Sequence, residues 1–533
     1  MKTTLKSLTA VAVFASAFSA QAAEFDLDKV REDLATMNRE WAEEIWNADV
    51  YGEDVDRASI MARYPYLSDN KELVDFVKIE YEAETDPVEK RRLRLLYWDV
   101  SGTYMFEKMV GIYDEMDNTR AAAVFYGKEL DEPVAYRDLW WYYNNLGQDE
   151  LDKRAELYFA DTNFVVNVLN PMHLERIDEI QANCTEIGFD NYTVYDEYTT
   201  GFDHAVLSEQ AYKFLGDTQE IYKDVVTEKC RDVLGKDPSE TVPWERGIIW
   251  HKKAFDEYFP ADEMLPFTYG YFAGLGLDLR DNPNIIIDDE DRERKEPRAA
   301  SYSISVPDDI RINLKPLGGM YDYEAALHES GHALHYSYTD PELPYEFRHL
   351  GTNSLTETYA FLFEDMFLNP IFLEEEAGMP KEKVNEYMDV ALLMELASAR
   401  YYAMNVIYEA KLHGGTLDDP LAFYAELRDT YGIFQREPYQ NEAAYLEVDE
   451  EFYSRDYMTA WYAEAQLRAK LEDEFGVRWY KDPAAGEFLE DLFSRGDSWE
   501  TEDMLRYIGY DCLDSSYLAA DFAEMYETFK SNR

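Results

Sequence analysis

Apolar residues recur at intervals of three and four along most of this chain. In residues 25–47, for example, this spacing places the apolar side chains on one face of a helix. Prolines punctuate the first 300 residues without any repeat of fixed length. The pattern therefore predicts a mainly α-helical chain. The predicted helical segments are 25–47, 73–81, 90–112, 134–146, 151–159, several within 190–234, 390–412 and most of 486–529.

Residues 301–315 have the alternating pattern of a β-strand instead. Apolar residues occupy even-numbered positions from Ile304 to Leu314. Pro307 and the adjacent Asp308 interrupt this alternation with a turn signal. The sequence therefore predicts a small β element within an otherwise helical fold.

Composition indicates a globular protein with a strongly acidic surface. The chain has 533 residues, of which 46% are hydrophobic and 15% aromatic, so it can bury a large core. Its 110 acidic and 51 basic residues give a formal charge of −59, spread along the chain. Such a surface repels polyanions, so we expect neither nucleic acid nor anionic lipid as a partner. We interpret the acidity as a solvated surface; attraction of cationic peptides is the alternative.

Residues 1–22 have the pattern of a secretory signal peptide. Lys2 and Lys6 precede a short apolar run over residues 8–18, and Ala20 and Ala22 form a small-residue cleavage site. We therefore expect cleavage after Ala22 and export, to the periplasm or beyond the cell. Later stretches are not apolar enough to predict a transmembrane helix, so no stable membrane insertion is expected.

The three cysteines permit at most one intrachain disulfide. Export would allow Cys184 and Cys230 to pair, but their spacing does not decide it. Buried, inert thiols are the preferred interpretation for the cysteines, which include Cys512. None of them has the spacing of a metal ligand.

The segment His328-Glu329-Ser330-Gly331-His332 carries the strongest chemical signal. Residues four apart lie on the same face of a helix, so His328 and His332 can bind one metal ion. Glu329 then lies beside the ion, where it can accept a proton from water that the metal activates. The pattern predicts a catalytic zinc site with one ion per chain.

A catalytic zinc ion requires a third protein ligand. Glu357 lies 25 residues after His332, on a second segment of helical pattern, and is the predicted ligand. His335 lies almost on the same face as His332, but a packing role or support of a ligand is preferred for it. Glu364 is a candidate for a supporting contact to a ligand.

The motif and its surroundings resemble two families of glutamate-zincin metallopeptidases. The segment from His328 to His335, and its spacing to Glu357, look like the thimet-oligopeptidase family. The stretch Tyr345-Glu346-Phe347-Arg348-His349-Leu350-Gly351-Thr352-Asn353 is similar instead to the angiotensin-converting-enzyme family. The resemblance is strong over about residues 300–370. It implies two helical halves flanking a deep cleft, with a small β element beside the zinc helix.

The resemblance also implies how substrate is held and activated. Both families receive the peptide as an added strand beside the zinc helix, a role expected here for residues 311–314. Both also keep a His and one or two Tyr late in the chain as oxyanion donors. No His follows His413 here, so Tyr457 is the predicted donor, followed by Tyr462 and Tyr453. Arg455 is a candidate to hold a substrate carboxylate or a structural anion.

The sequence therefore predicts an exported zinc metallopeptidase that cleaves short peptides, as an oligopeptidase or a peptidyl-dipeptidase. Its predicted parts are a signal peptide (1–22), an N-terminal helical half (23–300) and a catalytic half (301–533). Two other classes stay open. A zinc carboxypeptidase would need a cationic pocket, for which Arg455, Arg348 or Lys315 are candidates. A non-catalytic peptide-binding protein would have no need of Glu329. The sequence does not indicate an oligomeric state.

Overall fold

The computed structural model describes residues 25–54, 57–250, 253–448 and 452–531. The predicted signal peptide, residues 1–22, lies outside them. The prediction of a mainly helical chain is confirmed. The helices of the first 300 residues are α1 Leu27–Tyr51, α2 Arg57–Met61, α3 Pro65–Ser68, α4 Lys71–Ala83, α5 Pro87–Ala122, α6 Leu139–Asn145, α7 Leu151–Phe164, α8 Asn170–Glu186, α9 Tyr192–Thr200, α10 His204–Asp217, α11 Gln219–Lys229, α12 Pro243–Arg246 and α13 Met264–Leu275.

The remaining helices begin after a short sheet. They are α14 Met320–Tyr338, α15 Tyr345–His349, α16 Asn353–Glu364, α17 Pro370–Glu375, α18 Lys381–His413, α19 Pro420–Tyr431, α20 Pro438–Ala444, α21 Tyr453–Phe475, α22 Pro483–Phe493, α23 Thr501–Tyr507 and α24 Ser516–Ser531.

Two hydrophobic clusters account for most of the buried apolar surface in the described residues. The larger one joins Leu207 and Phe272 to Leu327, Leu396 and Leu471, so it contains side chains from both sides of residue 300. The smaller one packs α1, α4 and α5 against α8 and α9, and Phe452 enters it from the late part of the chain. The helices α14, α16, α18 and α21 pack together within the larger cluster. They carry the motif residues considered below.

One predicted helix begins later than expected. Residues 134–146 were expected to be helical, but Val134–Ala135 forms a strand, β2, which pairs antiparallel with β1 Val124–Phe125. The helix α6 begins only at Leu139. The hairpin buries Val134 and Phe125 together, and this packing outweighs the helical spacing of the sequence.

The predicted β element is a three-stranded sheet. It contains β3 Ile285–Asp288, β4 Ala300–Ser305 and β5 Asp309–Asn313 in the order β3-β5-β4. The predicted interruption at Pro307 and Asp308 is the turn between β4 and β5, which pair antiparallel. Both β4 and β5 pack against α14, so the predicted position of the sheet beside the motif helix is confirmed.

The expectation that residues 311–314 receive a substrate strand is wrong. Strand β5 pairs in parallel with β3, from Ile285 opposite Ile310 to Asp288 opposite Asn313, and its other edge pairs with β4. A strand bonded on both edges has no free row of backbone groups for a peptide. In the order β3-β5-β4, the edge strand that pairs with β5 on the side away from β3 is β4.

The cysteines are free thiols. Cys184 and Cys230 are buried in different clusters, so the possible disulfide between them does not form. Cys512 is exposed, unlike the buried thiol expected. Among the described helices, none is long and apolar enough to cross a membrane.

Candidate metal centre

The helix α14 starts at a turn that its sequence fixes. Gly318 and Gly319 have φ angles of +84° and +103°, a region that glycine adopts without a steric penalty. The Asp322 carboxylate accepts the backbone N–H groups of Leu317 and Gly318, at 2.7 and 2.8 Å. These contacts set the start of the helix, and with it the direction in which the motif histidines point.

His328 and His332 lie one turn apart on α14 and face the same point. Their Nε2 atoms are 3.2 Å apart. Only 13% and 12% of their side-chain surfaces are exposed. The helix therefore presents two imidazole nitrogens together in a largely dehydrated position.

The helix α16 brings Glu357 to the same point. Its Oε2 atom lies 3.4 Å from Nε2 of His328 and 3.7 Å from Nε2 of His332. This approach depends on Gly331, because a Cβ atom there would lie 2.7 Å from the Cα atom of Ala360. A glycine in the middle of α14 thus lets the two ligand-bearing helices pack closely. The role of Gly331 cannot be read from the sequence, because it depends on the backbone of α16 packing against this position.

The three side chains form a group that could hold a metal ion, with ligand atoms within 4.8 Å of one another. A tetrahedral zinc ion with bonds of about 2.0–2.1 Å needs ligand atoms about 3.3–3.4 Å apart. The observed separations of 3.2, 3.4 and 3.7 Å match this requirement. Oε2 of Glu357 is buried and has no hydrogen-bond partner among the described residues. A buried carboxylate oxygen facing two imidazole nitrogens fits a cation, so these residues fit zinc.

The other ring nitrogens of both histidines are held by α16. Nδ1 of His328 lies 2.7 Å from Oε2 of Glu364, and Nδ1 of His332 lies 2.8 Å from Oγ1 of Thr356. A histidine that donates from Nδ1 keeps its Nε2 lone pair free for a metal. Glu364 thus makes the expected supporting contact to His328. Thr356 makes a similar contact to His332, which the sequence did not predict.

The carboxylates around His328 shift the protonation of the metal-free centre. Burial acts to lower the pKa of His328, but Glu364, Glu357 and Glu329 outweigh it and raise that pKa to about 10. Burial raises the pKa of Glu357 to about 7, although His328 and Tyr453 oppose the change. Metal binding at this centre must therefore displace protons.

Glu329 lies next to the ligand group without belonging to it. Burial raises the pKa of its carboxyl group, against the opposing effects of His328 and a backbone hydrogen bond from Ser301. Ser301 belongs to β4, so the sheet edge lies directly beside this carboxylate. A carboxylate with a raised pKa is suited to accept and return a proton.

His335 lies away from the ligand group, in the core. It is 1% exposed and packs against Tyr359 and Phe493. Burial lowers the pKa of its imidazole to about 3. The structure therefore places it in the packing role preferred from the sequence.

Two tyrosines at the start of α21 reach the centre. The Tyr453 hydroxyl donates to Oε1 of Glu357 at 3.0 Å. The hydroxyl oxygen of Tyr457, the predicted oxyanion donor, lies 3.2 Å from that of Tyr453. Burial raises the pKa of both phenols, which keeps them protonated as donors. Tyr462 is not at the site, because it packs against Phe214 in the core.

Arg455 has a structural role. It is 2% exposed and forms ion pairs with Asp196 and, at 3.2 Å, with Asp456. Asp196 belongs to α9, so the pair ties α21 to an early helix. The two carboxylates occupy the guanidinium, so the proposed contact of Arg455 with a substrate carboxylate is not supported.

Arg348 and Lys315, the other two candidates for holding a substrate carboxylate, contact other groups of the protein. Arg348 donates to the Val306 carbonyl at 2.7 Å. Nζ of Lys315 lies 3.0 Å from Oδ1 of Asp291, an exposed carboxylate. Neither lies among the contacts of the ligand group in the described residues. Arg348 has no acidic partner among the described residues, and its buried Nε has no hydrogen-bond partner there.

Neither the protein-family models nor the curated proteins compared with this sequence give a match.

Proposed function

We propose that this chain is an exported zinc metallopeptidase that hydrolyses short peptides, as an oligopeptidase or a peptidyl-dipeptidase. The observation that carries the proposal is the convergence of His328, His332 and Glu357 at separations suited to tetrahedral zinc, with the Glu329 carboxylate beside them. The signal-like residues 1–22 support export, and the family resemblance supports a cleft between two helical halves, divided near residue 300.

In the proposed reaction, His328, His332 and Glu357 would hold one zinc ion. When bound, the ion would supply a Lewis acid for the peptide carbonyl and lower the pKa of water. Glu329 takes a proton from the attacking water and returns it to the leaving amine. Tyr457 donates to the oxygen on which negative charge develops, while the single hydroxyl hydrogen of Tyr453 is donated to Glu357.

Glu329 distinguishes this proposal from a peptide-binding protein without activity. A protein that only binds peptides needs the cleft, but it gains nothing from a carboxylate of raised pKa beside the metal ligands. The choice between internal cleavage and release of dipeptides rests on how the C-terminus of the substrate is held.

The test compares Glu329→Gln with the wild-type protein. We expect the variant to keep its zinc, because Glu329 is not a ligand, and to lose peptide hydrolysis by a factor of roughly 10² or more. Glu342→Gln, at an exposed position, is the matched control and should keep full activity. Hydrolysis by Glu329→Gln at the wild-type rate would reject the assigned base. Glu357→Ala should lose zinc.

A further inference from the structure

A cavity lies between α18, α19 and the segments around α12. Its volume is about 430 Å³. Such a volume accommodates a ligand of one or two residues. Its walls carry four arginines set among aromatic rings. The arginines are Arg246, Arg400, Arg428 and Arg436, and the rings are those of Tyr222, Trp250, Tyr401, Tyr402 and Phe434.

Three of the four guanidinium groups, those of Arg246, Arg428 and Arg436, are close enough to repel a neighbour. Arg436 lowers the pKa of Arg246, and Arg428 lowers that of Arg436, in each case added to a larger effect of burial. Burial lowers the pKa of both Arg246 and Arg400 to about 10, so both stay charged at neutral pH. The cavity therefore concentrates positive charge.

No carboxylate in the described ranges forms an ion pair with any of the four. Their hydrogen bonds go to neutral acceptors instead. Arg400 donates to Leu215 O at 2.7 Å, Thr218 Oγ1 at 2.5 Å, Tyr431 O at 2.9 Å and Gln219 Oε1. The acceptors of the others are Asn405 Oδ1 at 2.5 Å and Met404 Sδ at 3.7 Å for Arg428, Gln435 O at 2.6 Å for Arg246, and Asn441 Oδ1 at 2.7 Å and Gln440 O at 3.1 Å for Arg436. In a chain with 110 acidic and 51 basic residues, four neighbouring arginines without an acidic partner are unexpected.

Donors remain for an incoming anion. The Nε atoms of Arg246 and Arg400 are buried and have no hydrogen-bond partner in the described part of the chain. Arg246 and Arg436 are only partly buried, so a ligand can reach them from outside. A buried donor without an acceptor costs free energy that a bound carboxylate would recover. Arginine is also the side chain best shaped to bind a carboxylate through two parallel hydrogen bonds.

Aromatic contacts connect this cavity to the candidate metal centre. The ring of Tyr402, a wall residue, lies 5.3 Å from that of Tyr457. Tyr457 in turn contacts Tyr453, whose hydroxyl donates to Glu357. The cavity and the metal ligands are therefore separated by only two layers of side chains.

We propose that this four-arginine cavity binds a carboxylate group of the peptide substrate, either its C-terminal carboxylate or an acidic side chain. The inference rests on the proposed peptidase function and specifies its substrate class. In a chain with a formal charge of −59, four arginines around one cavity give an anionic group a favourable place to bind. The four arginines come from separate helices and loops, so no local sequence pattern links them.

The test measures peptide binding to zinc-loaded Glu329→Gln protein by calorimetry, so that turnover does not interfere. One peptide is prepared with a free C-terminus and as its amide, each with Glu or Gln as the last residue. We expect loss of the carboxylate that enters the cavity to weaken binding roughly 10- to 100-fold. Sensitivity to the amide assigns the terminal carboxylate, and sensitivity to Gln assigns the side chain. Equal affinity for all four peptides overturns the inference.

Arginine variants then locate the effect. Arg246→Gln and Arg436→Gln should each weaken the preferred peptide by a similar factor and reduce its advantage over the form without a carboxylate. Arg478→Gln, an exposed arginine paired with Glu375, is the matched control and should not change binding. Retention of the full carboxylate preference in both cavity variants overturns the inference.

The two proposals fail in distinguishable ways. Carboxylate-dependent binding without hydrolysis by the wild-type protein would reject the peptidase and keep the cavity assignment. Metal-dependent hydrolysis without any carboxylate preference would reject the cavity assignment and keep the peptidase.

Discussion

Gly331 offers a test of how the two ligand-bearing helices are held together. In Gly331→Ala, the new Cβ atom would lie 2.7 Å from Cα of Ala360, 2.9 Å from the Tyr359 carbonyl oxygen and 3.0 Å from Cδ2 of Phe363. Two of these atoms belong to the backbone of α16 and cannot rotate away. The helix must therefore move outward by roughly 0.7 Å or more to reach ordinary carbon–carbon contact.

The magnitude follows from two opposing effects. Overpacking of a tight helix contact costs about 1–3 kcal/mol. Replacing a helical glycine by alanine contributes about 0.5–1 kcal/mol of stability in return. Gly111→Ala measures the second effect alone, because Gly111 lies exposed in α5 and a Cβ atom there meets nothing within 4 Å. The difference between the two variants should thus be about 1–3 kcal/mol in the free energy of unfolding.

The displacement should also weaken metal binding, since Glu357 moves with α16. Chemical denaturation of the metal-free variants gives the unfolding free energies, and competition with a chelator gives the zinc affinity. We expect Gly331→Ala to be the less stable variant and to bind zinc roughly 10- to 100-fold more weakly than wild type. A Gly331→Ala protein as stable as Gly111→Ala, with unchanged zinc affinity, would refute the close-packing argument.

Three further predictions concern the centre and its support. Below pH 10, zinc must displace a proton from His328, so the zinc affinity should fall about tenfold for each pH unit of acidification. The fall should be steeper below about pH 7, where Glu357 is also protonated. A zinc affinity that does not change with pH, measured by competition with a chelator, would contradict this. Tyr453→Phe removes the donor to Glu357 and should raise the zinc dissociation constant roughly 10-fold or more; unchanged affinity would show that the contact is not needed. Arg455→Met removes the guanidinium shared by two buried carboxylates, those of Asp196 and Asp456, and leaves Asp196 with His204 alone. This should cost about 3–5 kcal/mol of unfolding free energy; a loss below about 1 kcal/mol, measured by denaturation, would contradict the structural role.

Local spacing is enough to predict most of the helices and to place His328 and His332 on the same face of one helix. The i, i+4 relation that joins His328 and His332 is a property of any helix, so it needs no tertiary information. Glu357 required only that a second helical segment pack against the first. The predicted start of the helix in 134–146 was wrong, because Val134 pairs with Phe125 in a hairpin, a contact between strands that helical spacing does not represent.

The errors at the site have a common physical cause. Whether residues 311–314 form a central or an edge strand depends on residues 285–288, whose pairing the sequence pattern did not indicate. The choice among Tyr453, Tyr457 and Tyr462 depends on the rotation of α21 relative to α16. The environment of Arg455 depends on Asp196, which lies 259 residues away in the chain. Contacts over such separations are set by packing, and no local pattern encodes them.

The central claim is that this chain is a zinc-dependent peptidase with Glu329 as its base. The most direct measurement maps by mass spectrometry the products of a short peptide incubated with metal-stripped protein, with zinc-restored protein and with zinc-loaded Glu329→Gln. The account predicts cleavage only by the zinc-restored wild-type protein, with one zinc ion bound per chain in both loaded samples. Cleavage that persists after metal removal, or in Glu329→Gln, would contradict it, as would intact peptide in the presence of fully zinc-loaded wild-type protein.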